Sequence, residues 1–194
     1  MISLNSQDSS YPKMKKIVIG LLGTIGSGKG TAAKFLKKKY GFRIVTMGNM
    51  LRALAKKLKI PSDRKSLQLL QKKYRKKYGG DYFINMAWKN INSSNHNKWI
   101  IDGIRTPDDT SVSKKNGAKL ILVDAKPMLR FERMKKRKRK GFSKTFQEFK
   151  KEEQREWKLL KFKKSLKYVQ YKVDNSSNQK EFFDKINKLM KRLI

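Results

Sequence analysis

Residues 20–35 read GLLGTIGSGKGTAAKF and continue the apolar run Ile17-Val18-Ile19. A short apolar strand, a glycine-rich turn and an amphipathic helix follow one another here. Gly23 to Lys29 have the spacing G-x-x-x-x-G-K, directly after the strand and directly before the helix. Glycines let such a turn point its N–H groups inward around an anion, where side chains would clash or force φ into costly regions. The helix that begins near Gly28 adds the positive end of its dipole, and Lys29 adds a mobile point charge. A glycine turn with no ligand needs no such cation. The stretch therefore reads as a phosphate cradle, with Gly26, Ser27, Gly28, Lys29, Gly30 and Thr31 as nucleotide-binding residues.

Outward from the cradle, strands alternate with helices. Residues 15–23 predict a strand, 31–40 a helix and 42–48 a second strand; LRALAKKLK (51–59) predicts a helix that stops before Pro61. Leu67, Leu70, Tyr74 and Tyr78 keep helical spacing, as do Ile84, Ala87, Trp88 and Ile91. NKWIIDG (97–103) and AKLILVDA (118–125) are continuous apolar runs, as in parallel strands covered on both faces. Pro127 opens another helix, a basic stretch follows, YVQYKVD (168–174) predicts the last strand, and Phe182, Ile186, Leu189 and Leu193 mark the closing helix. This order predicts an α/β fold of three layers, a five-stranded parallel sheet flanked by helices with right-handed crossovers. Ligands in such sheets bind beyond the carboxyl ends of the strands.

The chain has 194 residues, 38% of them apolar, enough for one core. Residues 15–194 are expected to form that domain and the polar residues 1–14 a disordered tail, with Met14 a candidate start. The absence of cysteine excludes disulfides and thiolate metal sites and fits a reducing, cytoplasmic setting. No apolar run approaches the roughly 20 residues that span a bilayer. Charge stands out: 50 Lys and Arg against 15 Asp and Glu give +35. Such a field attracts polyanions, nucleic acid among them; it is equally what lysines spread over solvated faces produce.

In one detail the cradle departs from the general P-loop pattern: Gly30 follows the lysine, and the hydroxyl comes one place later, on Thr31. Gly23 to Thr31, G-x-x-G-x-G-K-G-T, resembles the loop of the nucleoside monophosphate kinases, in which magnesium is held largely through water. TMGNMLR (46–52) is similar to the segment of adenylate kinases that holds the acceptor's phosphate; the resemblance implies that role for Arg52 beside Gly48, although Asn49 stands where relatives have aspartate. IIDGIRTPDD (100–109) resembles the strand end that bears a magnesium-linked carboxylate and an acceptor arginine, here Asp102 and Arg105. VDAKPMLRFERMKKR (123–137) resembles the approach to the lid, which implies Arg133 and Arg137 as clamps on the transferring phosphoryl group. Asn175 and Ser176 fall where relatives hold the adenine ring. The I-D-G-I-R strand end and R-F-E-R helix are most similar to archaeal kinase-like proteins and to the P-loop domain fused to some deoxycytidylate deaminases, with dephospho-coenzyme A kinase a neighbour. The resemblance implies ATP and Mg²⁺ as cofactors and Lys29, Arg105, Arg133 and Arg137 as catalytic groups.

Charge chemistry asks for the same residue types. Phosphoryl transfer between two anions requires them held in line while charge is neutralised, and the arginine fork grips phosphate at two points. Other constellations are poor. His96, the one histidine, lies in a polar loop and reads as solvated, and neither a Ser/His/Asp triad nor a zinc site is available. The stretch 135–167 mixes cations with Phe142, Phe146, Phe149, Trp157 and Phe162. It reads either as a basic helical lid with inward aromatics or as a nucleic-acid surface; QKKYRKKYGG (71–80) allows the same two readings. The readings that follow are a kinase transferring phosphoryl from ATP to a nucleoside or deoxynucleoside monophosphate, or, on the same fold, a nucleic-acid-associated ATPase, polynucleotide kinase or ribosome-associated factor, with dephospho-coenzyme A kinase a further alternative. Oligomeric state is not encoded in any of these features.

Overall fold

The structure, a computed structural model, describes residues 16–137 and 143–194. The expected tail, residues 1–14, and part of the expected lid, including Phe142, lie outside the described residues. Strand β1 (Ile17–Leu22) is central, pairing in parallel with β3 (Lys98–Asp102) on one side and β4 (Lys119–Asp124) on the other. β2 (Arg43–Thr46) flanks β3 and β5 (Tyr171–Asp174) flanks β4, giving the order β2-β3-β1-β4-β5, all parallel.

Alternation along the strands divides the core in two. Ile19, Leu21, Ile100, Ile121 and Val123 pack on one face against Ala32, Ala33 and Leu36 of α1 (Lys29–Tyr40) and Phe182, Ile186 and Met190 of α9 (Gln179–Met190). Val18, Leu22, Ile101 and Leu120 point the other way. They meet Leu51 and Ala55 of α2 (Met47–Lys57), Leu70 of α3 (Arg64–Tyr78) and Phe83, Ile84, Ala87, Trp88 and Ile91 of α4 (Tyr82–Asn92). The apolar runs at 98–102 and 119–124 are continuous because helices cover both of their faces. Helices α6 (Pro127–Lys136), α7 (Phe146–Leu159) and the short α8 (Phe162–Ser165) complete the chain's path between β4 and β5.

The second strand ends earlier than its sequence predicts: Met47 and Gly48 already belong to α2. Helix α5 (Pro107–Lys115) escaped the apolar pattern, because the side chains it buries are Asp109, Thr110 and Ser113. Its start is a capping box: Thr106 Oγ1 accepts from Asp109 N, and the Asp109 carboxylate accepts in return from Thr106 N. The last strand is also shorter than predicted, since residues 166–168 form a 3-10 turn and Gln170 uses its side-chain oxygen to accept from Leu120 N.

Two connections leave the sheet centre in opposite directions: α1 leads from β1 past β3 to β2, and α5 leads from β3 past β1 to β4. The crevice between β1 and β3 is therefore the topological switch point. Register sets Leu21 level with Asp102, so the glycine turn and the Asp102 carboxyl meet at the same edge.

One buried ion pair ties the helical layer to that edge. Arg75 of α3 donates from Nη2 to both Asp109 oxygens (2.9 and 3.1 Å) and from Nη1 to Thr106 Oγ1 (3.2 Å), and Asp109 is only 1% exposed. Removing one partner of such a pair costs about 3–5 kcal/mol, because the other charge stays buried alone. Asp109→Ala is accordingly expected to lower unfolding free energy in urea by about 3–5 kcal/mol. The double variant Arg75→Met, Asp109→Leu should lose less than either single change.

Candidate nucleotide site

The turn after β1 is built by close approach. Gly23, Gly26 and Gly28 all have positive φ (141°, 78° and 101°). At Gly28 a Cβ would lie 2.1 Å from Asn175 Nδ2, so no side chain fits. Gly30 differs: its φ is ordinary and nothing approaches within 4 Å of where a Cβ would stand. Glycine inside a helix costs about 1 kcal/mol relative to alanine, and no packing in the chain accounts for it. Its bareness leaves the first turn of α1 open on the outside, where the unpaired N–H groups of a helix start are found.

Two buried hydroxyls in the turn, Thr24 Oγ1 and Ser27 Oγ, have no hydrogen-bond partner among the described residues. Buried groups left so cost about 1–3 kcal/mol each, a feature that suits a site completed by a polar ligand. From behind, Asn175 Nδ2 donates to Ser27 O at 2.8 Å, and Arg133 Nη2 donates to Asn175 O at 2.9 Å. Asn175 thus braces the turn, and Ser176 is engaged with Asp174 and with the amide of Lys126.

Lys29 Nζ donates to the first two carbonyls of its own turn, Gly23 O (2.6 Å) and Thr24 O (2.9 Å). Burial, helped by the nearby Arg105 and Arg130, pushes its ammonium down to about 7, against the opposing pull of Asp102 and Glu156. Burial pushes the Asp102 carboxyl up, while Lys29 and Arg105 hold it down. Arg105, 41% exposed, forms an ion pair with Glu156 of α7, and its carbonyl accepts from Ser165 Oγ at 3.1 Å. One turn of α7 earlier, Glu153 takes both terminal nitrogens of Arg130. Arg130 is 4% exposed, donates from Nε to Ala125 O (2.9 Å) and lies over the Phe149 ring.

These pairs draw α7 and α8 down onto the turn. Trp157, Leu160 and Phe162 close against Gly23, Thr24, Ile25 and Arg105, leaving about 10 Å³ between them. That is the room of about one water. Phe131, Phe146 and Phe149 stack beneath α7 and Trp157 packs on Phe162, so the aromatics of this segment face inward.

The structure brings together Gly26 to Thr31, Lys29, Asp102 and Arg105 at one edge. Gly48 and Arg52 lie in the first turns of α2 at that edge, but the exposed Arg52 guanidinium bonds Asn49 Oδ1 on its own helix rather than facing the turn. The expected clamp of Arg133 and Arg137 is not assembled. Arg133 is committed to backbone carbonyls behind the cradle, and Arg137, at the exposed C-cap of α6, lies 3.9 Å from Met134 Sδ, its one side-chain contact among the described residues. Position along the helix is the reason: Arg130, Arg133 and Arg137 stand at i, i+3 and i+7 on one side of α6, but Arg130 is buried with Phe131 and Met134, and 137 falls past the helix end. Arg130, Glu153 and Glu156 were not singled out from sequence; the capping box of Thr145 with Glu148 and the spacing of 153 and 156 on one helix face were the available signals. His96 is half-buried rather than solvated, with Nε2 2.9 Å from Gly41 O and its ring edge-on to Trp99.

No group of three or more His, Cys, Asp or Glu among the described residues is placed to hold a metal. Oxygen donors at the edge include the Asp102 carboxylate and the hydroxyls of Thr24, Ser27 and Thr31. Magnesium, which keeps several waters and takes one or two carboxylates plus substrate phosphates, is compatible with so sparse a set.

A parallel sheet in this order, with a glycine-and-lysine turn after its central strand, defines a P-loop domain of the kinase type. The chain belongs to the AAA domain family, which matches residues 22–150. It is 29% identical over 185 residues to a UPF0200 protein of Thermococcus sibiricus, covering 91% of this chain and 95% of that one. A UPF0200 protein of Sulfurisphaera tokodaii is 31% identical over 180 residues, 91% of this chain and 97% of its own. In fold, the chain resembles shikimate kinase from Bacteroides thetaiotaomicron, with a TM-score of 0.60, 16% identity and coverage of 91% and 98%. No helix among the described residues is long and apolar enough to cross a membrane.

The Lys29 shift has a signed consequence. A lysine at about 7 in the folded chain and at its ordinary 10.5 in the unfolded chain binds fewer protons when folded between those values. Stability from this group therefore rises with pH across that window. In urea titrations, the difference between Lys29→Met and wild type should shrink steadily from pH 7 to pH 10; a constant difference would contradict the buried-ammonium assignment.

Proposed function

We propose that this protein transfers the γ phosphoryl group of ATP to a nucleoside or deoxynucleoside monophosphate. The observation that carries the reading is the convergence of Lys29, Asp102 and Arg105 on the turn after β1. A polyphosphate in the turn would take the N–H groups of Gly26 to Thr31 and the Lys29 ammonium, which has only backbone carbonyls to leave. Arg105 would exchange Glu156 for the acceptor's phosphate, and exposed Arg52 would swing from Asn49 to join it. Thr31 and Asp102 would hold magnesium together with phosphates and water, and the ion would supply charge neutralisation on the polyphosphate. An acceptor that is already an ionised phosphate needs no general base.

Arg133 serves this scheme from behind, keeping the cradle's carbonyls turned outward, and Arg137 is exposed and available to a ligand only after rearrangement. With about 10 Å³ over the turn, α7 and α8 must move away before nucleotide binds, and their return would exclude water from the transfer. Nucleotide binding should draw protons onto Lys29 near neutral pH, because an anion restores the ammonium that burial disfavours.

Labelled ATP offered with nucleoside monophosphates, deoxynucleoside monophosphates and dephospho-coenzyme A tests the reading. Transfer to a monophosphate is expected, lost in Lys29→Ala and reduced at least about a hundredfold in kcat/KM in Arg105→Ala, the scale of removing a positioned charge. Hydrolysis and transfer equal in wild type and Arg105→Ala would refute the acceptor role. Glu156→Gln tests the covering helix: losing a partly exposed ion pair worth up to about 1 kcal/mol should tighten binding of a non-hydrolysable ATP analogue with acceptor by about fivefold in calorimetry.

A further inference from the structure

Away from the cradle, α3 carries a second set of features that phosphoryl transfer does not use. Its 15 residues include seven cations and no acid. Lys72, Lys73, Lys76 and Lys77 are all exposed, and among the described residues no carboxylate pairs with any of them. They fall at i, i+1, i+4 and i+5, so two like-charge pairs stand one turn apart, an arrangement that weakens a helix. Helix α7 has four cations, Lys150, Lys151, Arg155 and Lys158, and interleaves them with Glu148, Glu152, Glu153 and Glu156. Helix α1, like α3, carries exposed lysines and no acid, so what sets α3 apart is the aromatic hollow beside its cations.

Beside these lysines is a hollow of about 350 Å³, within the range of small-ligand pockets. Leu58, Ile60 and Tyr74 form its apolar walls, and Lys73, Lys77 and Tyr78 its rim. Tyr78 is 49% exposed, and its ring stacks on Tyr82 at 5.0 Å and 27°, with Tyr74 5.3 Å away. The Lys77 ammonium stands 5.1 Å from the same ring. An exposed aromatic platform, an apolar hollow with room for a nucleobase and a row of ammonium groups without carboxylate partners among the described residues are the three parts of a site for unpaired nucleic acid.

We infer that the hollow between the end of α2 and α3 binds single-stranded polynucleotide, with one unstacked base against Tyr78 and flanking phosphates on Lys73 and Lys77. A duplex keeps its bases stacked and offers this hollow nothing to receive; a free mononucleotide brings one phosphate to a row of four lysines. The charge calls for a polyanion, and the exposed ring calls for a polyanion with free bases. The inference is independent of the phosphoryl-transfer reading, since it concerns binding without ATP and residues outside the cradle.

Fluorescence anisotropy of a labelled single strand of about twelve nucleotides, titrated over a salt series without ATP, tests it. Tyr78→Ala should weaken binding about tenfold, and Tyr78→Phe should restore it. Lys73→Ala with Lys77→Ala should lower the slope of log affinity against log salt by about 1.4, two phosphate contacts' worth. Lys29→Ala should bind the strand as wild type does. No binding near physiological salt, wild-type affinity in Tyr78→Ala, or equal binding of a duplex with the same residue dependence would each overturn it.

Discussion

Lys29 is held by the first carbonyls of the turn it closes, half-buried and with two arginines nearby. Burying that much like charge at one strand edge is unfavourable unless anions answer it, and the chain answers with its own: Asp102 from the adjacent strand end, Glu156 on Arg105 and Glu153 on Arg130. The architecture around the edge follows from this need. β1 and β3 sit side by side at the switch point so that a carboxyl can stand beside the turn, and α7 lies where its two glutamates reach the guanidinium groups. The carboxylates occupy arginines that a phosphate would also occupy. The covering helix is held by the same attraction that would draw in a ligand.

The cradle was the most legible part of the sequence because its requirements are local. A strand, a turn that only glycine can make and a helix start are adjacent in the chain, so their residue types record the geometry directly. Asp102 and Arg105 were legible for a similar reason, lying just past an apolar run whose end marks the sheet edge. The parallel strands showed as unbroken apolar runs because both faces are covered.

What the sequence concealed depends on position along a helix or on distant partners. Along PMLRFERMKKR, Arg130, Arg133 and Arg137 look alike and share one side of the helix; only their places along α6 leave the first buried, the second turned to carbonyls and the third outside. Glu153 and Glu156 lie among many charges in α7, and nothing local marks them as partners of residues 23 and 51 positions away. Helix α5 buries threonine, serine and aspartate, so hydrophobic periodicity was silent there.

The Arg75–Asp109 pair gives the two coverings of the edge unequal freedom. Asp109 Oδ2 also lies 3.2 Å from the amide of Thr106, the residue next to Arg105, so α3 and the backbone that presents Arg105 are effectively riveted together. A swing of α3 would drag the guanidinium along with it. On the proposed reading the hinge lies on the opposite flank, in α7, whose attachment to the edge includes, among the described residues, two side-chain pairs and a patch of aromatic rings. On that reading, α3 is the fixed jaw and α7 the one that would move.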